Sequence, residues 1–559
     1  MYQPSREVAF AIQDAGVVEM SDLNKVPDTE VVVSAVTPLK REDPIVTRKE
    51  LWSYYCAFFS ERSLYNNADM GVGPVSWSMT LFQSLATSAG WDPSQGPGST
   101  CTTSERCVVP WGRGGTKSVS SVVLVANGLS FAIMTILFTT FGSAADYGTL
   151  GRWLLPIASV ICWVAQFASM TLTKPSRWGA AMALYVISFV SYGATLVLVS
   201  AIFPRLARNT PHARRLRERL ENHEVSREEY ELEESLEKNR ISNISSCHSN
   251  VGYLFVLLLD LATLLPLANN ALVDNYTIVL TNMYWVVLGV WWFIYQQPRP
   301  GPPLPSGEHY LTIGWKQVWL VLKQWKKLPF TFMYLFAFFL LSDGLNTTGT
   351  LITICQNDQF SFSFLQSTYL GLAQAFTSVA STLGFWWIQK HWKIPTKKMF
   401  IVTNVFTILI PVWGMIGLWT TKFGFHQVWE YWAWNAIFGL FQAPYYCYSQ
   451  TMMAELAPPG FDNMFFALFG LSNRASSIIG PNVIQAIIND TQNNWKGFPF
   501  LVALCTAASL VIWFGVDVEK GRRDAITWAE QNRSYAETGM YAKQDASESL
   551  DSKDCGEKS

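Results

Sequence analysis

The charged residues of this chain are separated by long gaps, and those gaps limit what it can fold into. Lys117 to Asp146, Arg152 to Lys174, Arg177 to Arg205, and Asp274 to Arg299 each enclose a run with no Asp, Glu, Lys or Arg. So do Asp358 to Lys390, Lys398 to Lys422, Glu430 to Glu455, and Lys496 to Asp517. A helix crossing a bilayer needs about 20 largely apolar residues, because lipid offers the backbone no hydrogen-bond partner. Four further apolar stretches, 52–88, 250–272, 329–354 and 463–489, are interrupted by charge. Eight clean runs and four interrupted ones predict twelve spans. Any single run can be a buried core helix, but twelve in series are not. Composition agrees: charged residues make up 15% of the 559, against about 25% in an ordinary soluble protein. With 41 basic and 42 acidic residues the chain has no net charge with which to hold a nucleic acid. The fold class expected is an all-α integral membrane protein.

The polar segment before Glu50 lacks the charged-then-apolar pattern of a cleaved signal, so the first span is expected to act as an uncleaved one. An even number of spans puts both termini on one side. The loops on that side carry most of the Lys and Arg, which places both termini in the cytosol. The sequons at Asn275 and Asn489 then fall on the far side and are glycosylation candidates; a third, at Asn243, falls on the cytosolic side. Cys101 and Cys107 share the far-side loop 89–117 and are candidates for a disulfide, with two free thiols as the alternative.

The polar segments divide the chain. Residues 1–50 form an N-terminal cytosolic segment, 51–204 spans 1 to 4, and 205–249 a charged loop expected as a short helix or hairpin. Spans 5 and 6 occupy 250–297. A linker at 298–328 opens with a Pro-rich spacer, Pro298 to Pro305. Trp315, Trp319, Leu322 and Trp325 follow on one helical face, with Lys316, Lys323, Lys326 and Lys327 alongside, the pattern of a helix lying flat at a membrane surface. Spans 7 to 12 occupy 329–516 and a polar tail 517–559. The linker separates two groups of six spans.

No nucleotide-binding Gly loop, metal-ligand cluster or nucleophile motif occurs, so no cofactor, no metal and no enzymatic activity are expected. What stands out instead are charges inside spans, each costing roughly 2.5–3.5 kcal/mol on insertion and therefore usually facing a cavity or partner. They are Glu61, Arg62 and Asp69 in span 1, Asp260 in span 5, Asp343 in span 7, and Arg474 in span 11. Spans 1 and 7 are equivalent in a six-plus-six arrangement, as are 5 and 11. Asp69 is followed by Gly71-Val-Gly73-Pro74, and Asp343 by Gly344-Leu-Asn346-Thr-Thr-Gly349, which predicts a helix break after each carboxylate. Interrupted spans at matching positions point to a central binding site. An arginine there can clamp a carboxylate and an aspartate can pair with an ammonium, so the set suits a zwitterion. The surplus carboxylates can carry a proton, which makes proton coupling an expectation.

Between spans 2 and 3, Gly142-Ser-Ala-Ala-Asp146-Tyr-Gly148-Thr-Leu-Gly151-Arg152 resembles the G-x-x-x-D-R-x-G-R-R loop of the major facilitator superfamily. The resemblance implies that Asp146 and Arg152 lock the cytosolic gate, with Tyr147 replacing the usual basic residue. Further along, Ala454-Glu455-Leu-Ala-Pro458-Pro-Gly460 and Ala467 to Asn482, including Arg474, Gly480 and Asn482, resemble the fungal autophagy-related protein 22 family. That family implies a vacuolar membrane carrier exporting amino acids, leucine and other neutral ones, to the cytosol by alternating access. The alternatives are a facilitator for another small polar solute, such as a sugar or nucleoside, and a non-transporting scaffold or nutrient sensor. The partners expected are small-molecule amino acids, protons and the lipid bilayer, with no nucleic acid; a monomer is favoured.

Overall fold

The computed structural model describes residues 43–61, 74–101, 107–112, 114–267, 270, 272–305, 307–360, 362, 364–476, 479–491 and 493–532. Almost all of them are helical. Helices α1 (Arg48–Glu61) and α2 (Pro74–Ala89) precede a hairpin of β1 (Val108–Trp111) and β2 (Gly115–Ser118), paired antiparallel. Ser118 then caps α3 (Val119–Ala144), its hydroxyl accepting from the Ser121 N–H. α4 (Leu150–Phe167) and α5 (Trp178–Arg208) follow. α6 (Pro211–Glu221) starts with proline at its first position and Thr210 as its cap. α7 (Arg227–Leu267) is 41 residues long, and α8 (Val273–Tyr295) returns.

An extended segment leads to α9 (Tyr310–Lys323). Then come α10 (Pro329–Gln359), α11 (Phe364–Trp392), α12 (Thr396–Ile416), α13 (Val428–Leu456), α14 (Asp462–Ser476), α15 (Ile479–Thr491) and α16 (Phe498–Leu510). A last helix, α17, covers 518–532. Eight helical stretches among the described residues are long and apolar enough to cross a membrane: 121–144, 150–171, 175–208, 227–267, 273–295, 329–356, 396–416 and 494–515.

Two expectations are corrected by these elements. The charged segment 205–249 is not separate from the next span, because α7 runs unbroken from Arg227 through 250. α10 has no interruption after Asp343; Gly344 is there for packing, since a Cβ on it would stand 2.5 Å from the Cys505 sulfur of α16. The charge-free helices α11 and α13 fall outside these eight. Both bury polar side chains, among them Gln374, Ser378 and Thr382 on α11, and Gln442, Ser449 and Gln450 on α13.

The face of the bundle bearing α6, α9 and α17 is called the linker face here; the β-hairpin marks the opposite one. Near the linker face one apolar core joins helices from both ends of the chain. Tyr54, Phe203 and Trp292 belong to the same cluster as Tyr334, Phe400, Tyr445, Phe469 and Trp528. Towards the hairpin face the core divides into two larger clusters, while Tyr253 and Leu257 of α7 pack with Ala375 of α11 in a small third one. Of the larger two, one gathers Phe82, Val122 and Tyr185; the other gathers Leu351, Ile410, Phe425 and Phe498.

Candidate functional site

At the linker face a loop carboxylate meets the start of a helix from a distant part of the chain. Asp146 lies in the loop after α3 and is 7% exposed. Its Oδ1 accepts from the backbone N–H of Asn463 at 3.0 Å and from the Asn463 side chain at 2.9 Å; its Oδ2 accepts from the Met464 N–H at 3.0 Å. It therefore caps α14 from another part of the chain, where the helix exposes unpaired N–H groups and a positive dipole end. Gly142 makes that approach possible: a Cβ there would stand 2.5 Å from the Ala467 Cβ. Burial pushes the Asp146 carboxyl up to about 7, and the nearby Asp462 carboxylate adds to the rise against the three hydrogen bonds. Asp462 is itself paired with Arg208 at the end of α5.

Arg152, expected beside Asp146, stands elsewhere. Gly148 turns the chain with φ +55°, its N–H donates to Pro302 O, and Gly151 packs on the Ala145 carbonyl. Arg152 therefore emerges exposed at the start of α4, with its guanidinium 5.9 Å from the Trp153 ring centre. No ion pair joins it to Asp146 among the described residues.

A second cluster was not anticipated. Glu455, at the end of α13, accepts from the hydroxyls of Ser235 on α7 and Thr396 on α12, the latter at 2.6 Å. The Asn239 amide donates to Thr396 Oγ1 at 2.7 Å. Arg522 of α17 reaches Glu455 at 3.3 Å and Glu231 of α7 at 3.4 Å. The adjacent Glu234 pairs with Lys238 one turn further along α7, at 3.1 Å. Deeper in, the Ser242 hydroxyl donates to Cys447 O, Asn250 to Thr382 Oγ1, and Gln450 to Ser200 Oγ. Ser235, Asn239, Ser242 and Asn250 recur at helical spacing along α7. That periodicity was the signal available in the sequence, hidden by its lack of charge.

Asp343 sits inside α10, 1% exposed. Its Oδ1 accepts the Gly480 N–H at 2.9 Å and faces Thr347 Oγ1 at 3.4 Å. It thus caps the start of α15, and only glycine fits at 480, because a Cβ would stand 2.1 Å from Thr347 Oγ1. Beside it the Ser342 hydroxyl donates to Asn473 Oδ1 at 2.6 Å. The structure therefore brings Asp343 to the α14–α15 junction. Asp260 is buried separately on α7, Asn346 is half-buried on α10, and Asn482 is exposed on α15. Arg62 and Asp69 lie outside the described residues, and so do the side chains of Glu61 and Arg474.

On the hairpin face Cys101 and Cys107 form a disulfide. Asn275 is buried, its amide nitrogen donating to the Ser169 carbonyl at 2.6 Å, so that nitrogen has no room for a glycan; Asn489 is exposed. Among the described residues no group of three His, Cys, Asp or Glu side chains is placed to hold a metal.

The architecture has solved counterparts. A proton:xylose symporter, XylE, described as a major facilitator superfamily protein, matches with a TM-score of 0.55 at 10% identity, over 84% of this chain and 95% of that one. The fold is of the major facilitator type. A family model described as "Vacuole effluxer Atg22 like" matches residues 46–526, and the chain belongs to that family. The autophagy-related protein 22 of Gibberella zeae is 24% identical, over 87% of this chain and 81% of the relative. That of Coccidioides immitis is 25% identical, over 83% and 82%.

Proposed function

We propose that this chain is a twelve-span carrier of two six-helix halves that exports amino acids, leucine and other neutral ones, from the vacuole lumen to the cytosol. In this reading the linker face and both termini are cytosolic, and the hairpin face is luminal. The observation that carries it is the core: one large cluster shared by both groups of helices near the linker face, and two separate large clusters, bridged by Tyr253, Leu257 and Ala375, towards the hairpin face. Such a bundle is closed on one side and ready to admit solute from the other, one of the two states that alternating access requires.

Asp343, buried at a helix junction, is the group best placed to meet an ammonium or carry a proton, with Asp260 as a second carboxylate. The test is flux of labelled amino acids in vesicles containing the purified protein, with and without a pH gradient. Saturable flux of neutral amino acids supports the reading. Absence of saturable flux for every amino acid defeats it, and flux indifferent to collapse of the gradient removes proton coupling alone.

A further inference from the structure

The outer face of α9 is built for contact with something outside the bundle. Its inner face is fixed: Ile313, Gly314 and Val321 are buried, and a Cβ on Gly314 would stand 2.2 Å from the Thr140 carbonyl of α3. The Trp315 indole N–H donates to Thr140 Oγ1 at 3.1 Å, which sets the helix across the end of α3. The outer face is apolar and exposed. Trp319 is 70% exposed, and Trp315, Leu322 and Trp325 lie at 47–53%. One turn deeper along α3, Ile136 is 55% exposed, so this apolar stripe continues the belt of side chains that meets lipid.

Cations edge the stripe. Lys316 is neutralised by Glu308, both carboxylate oxygens standing 2.8 Å from its Nζ. Lys323, Lys326 and Lys327 are exposed; Lys326 lies 6.0 Å from the Trp325 ring centre, and Lys327 donates to the uncharged Gln531. None of these three has an acid partner among the described residues. Indoles and aliphatic side chains settle at the boundary between acyl chains and headgroups, and lysines beside them meet the phosphates.

We propose that the outer face of α9, with Lys323, Lys326 and Lys327, is a docking surface for anionic phospholipid headgroups of the leaflet on the linker side. Membrane lipid, rather than a soluble phosphate, is the occupant because the apolar stripe and the cations share one face. The surface also touches the gate. The linker that carries α9 is hydrogen-bonded to the Asp146 loop through Gly148 and Gly301, and Gln317 on α9 donates to the Tyr147 hydroxyl. A headgroup seated on α9 therefore steadies the loop that caps α14.

The test uses the full-length protein in nanodiscs of phosphatidylcholine with a minor share of phosphatidylserine, followed by detergent extraction and measurement of the lipid retained. Phosphatidylserine is expected to be enriched over its share. Replacing the three lysines together by Gln should cut the enrichment on the order of tenfold, replacing them by Arg should keep it, and Trp319→Ala should weaken it. All three lysines are on the surface, so a matching melting temperature certifies each variant as folded. Enrichment that survives the triple Gln change overturns the proposal. So does full competition by soluble glycerophosphoserine together with no effect of Trp319→Ala, which would mark a phosphate site and not a lipid surface.

Discussion

Asp146 shows how much one carboxyl group can do when it is placed at the end of someone else's helix. It supplies three acceptor contacts to the first turn of α14 from a loop more than three hundred residues earlier, |i−j| being 317 and 318. Its position after Gly142 was readable from the spacing of the motif. The place of Arg152 was not, because it depends on the left-handed turn at Gly148 and on the docking of the linker, which a motif does not encode. The carboxyl has a testable pH signature. Its ordinary value is 3.8 and burial raises it to about 7, so the folded protein favours the protonated group. The sign follows: stability contributed by this group is fully present below about 3.8, and is lost as pH rises through about 7. Asp146→Asn lacks that dependence and also gives up an acceptor, at a cost of about 1–3 kcal/mol. Thermal unfolding in detergent should therefore show wild type ahead of the variant at pH 4, with the gap narrowing towards pH 7. A gap that stays constant across this window rules the titration out.

At the scale of elements, absence of charge and presence of hydrophobicity proved to be different properties. Six of the charge-free runs coincide with helices apolar enough to span, but α11 and α13 keep amides and hydroxyls on the faces they present to the interior. Those polar side chains lower the hydropathy of both helices. Span 7 failed in the opposite way. Glycines in it suggest a break in the helix, whereas close packing against α16 uses Gly344 without interrupting α10. The tail helix α17 could not be foreseen as part of the bundle, since its anchors come from distant segments. Trp528 is buried against Phe461 and Phe465, and Arg522 bridges Glu455 to Glu231. Removing one member of a buried ion pair strands the other and costs about 3–5 kcal/mol. Arg522→Ala should lower the melting temperature and open 517–532 to protease. A tail that stays resistant in the variant shows that the Trp528 contacts hold it without the ion pair.

Across the whole molecule, the scarcity of charge identified the solvent, and the shared and divided cores indicate how the protein meets it. An interface that must part cannot rest on apolar burial alone, since every exposed apolar Å² costs roughly 25 cal/mol in water. The seam between α7 and helices α11, α12 and α13 is instead joined by hydroxyls and amides, groups that water can satisfy once the helices separate. In the proposed two-half reading Ser235 and Thr396 stand on opposite sides of the line along which the halves part, their hydroxyl oxygens 2.9 Å apart. The distance allows a direct trap. With Ser235→Cys and Thr396→Cys combined, mild oxidation should form a bond between α7 and α12, stop amino-acid flux in vesicles, and leave reversal to a reductant. Each single change should leave flux near wild type under the same oxidant, which separates the bond from damage to the native cysteines. If the bond forms in high yield and flux continues, α7 and α12 do not part during transport, and the opening must lie along the contact between α3 and α14, where Gly142 meets Ala467.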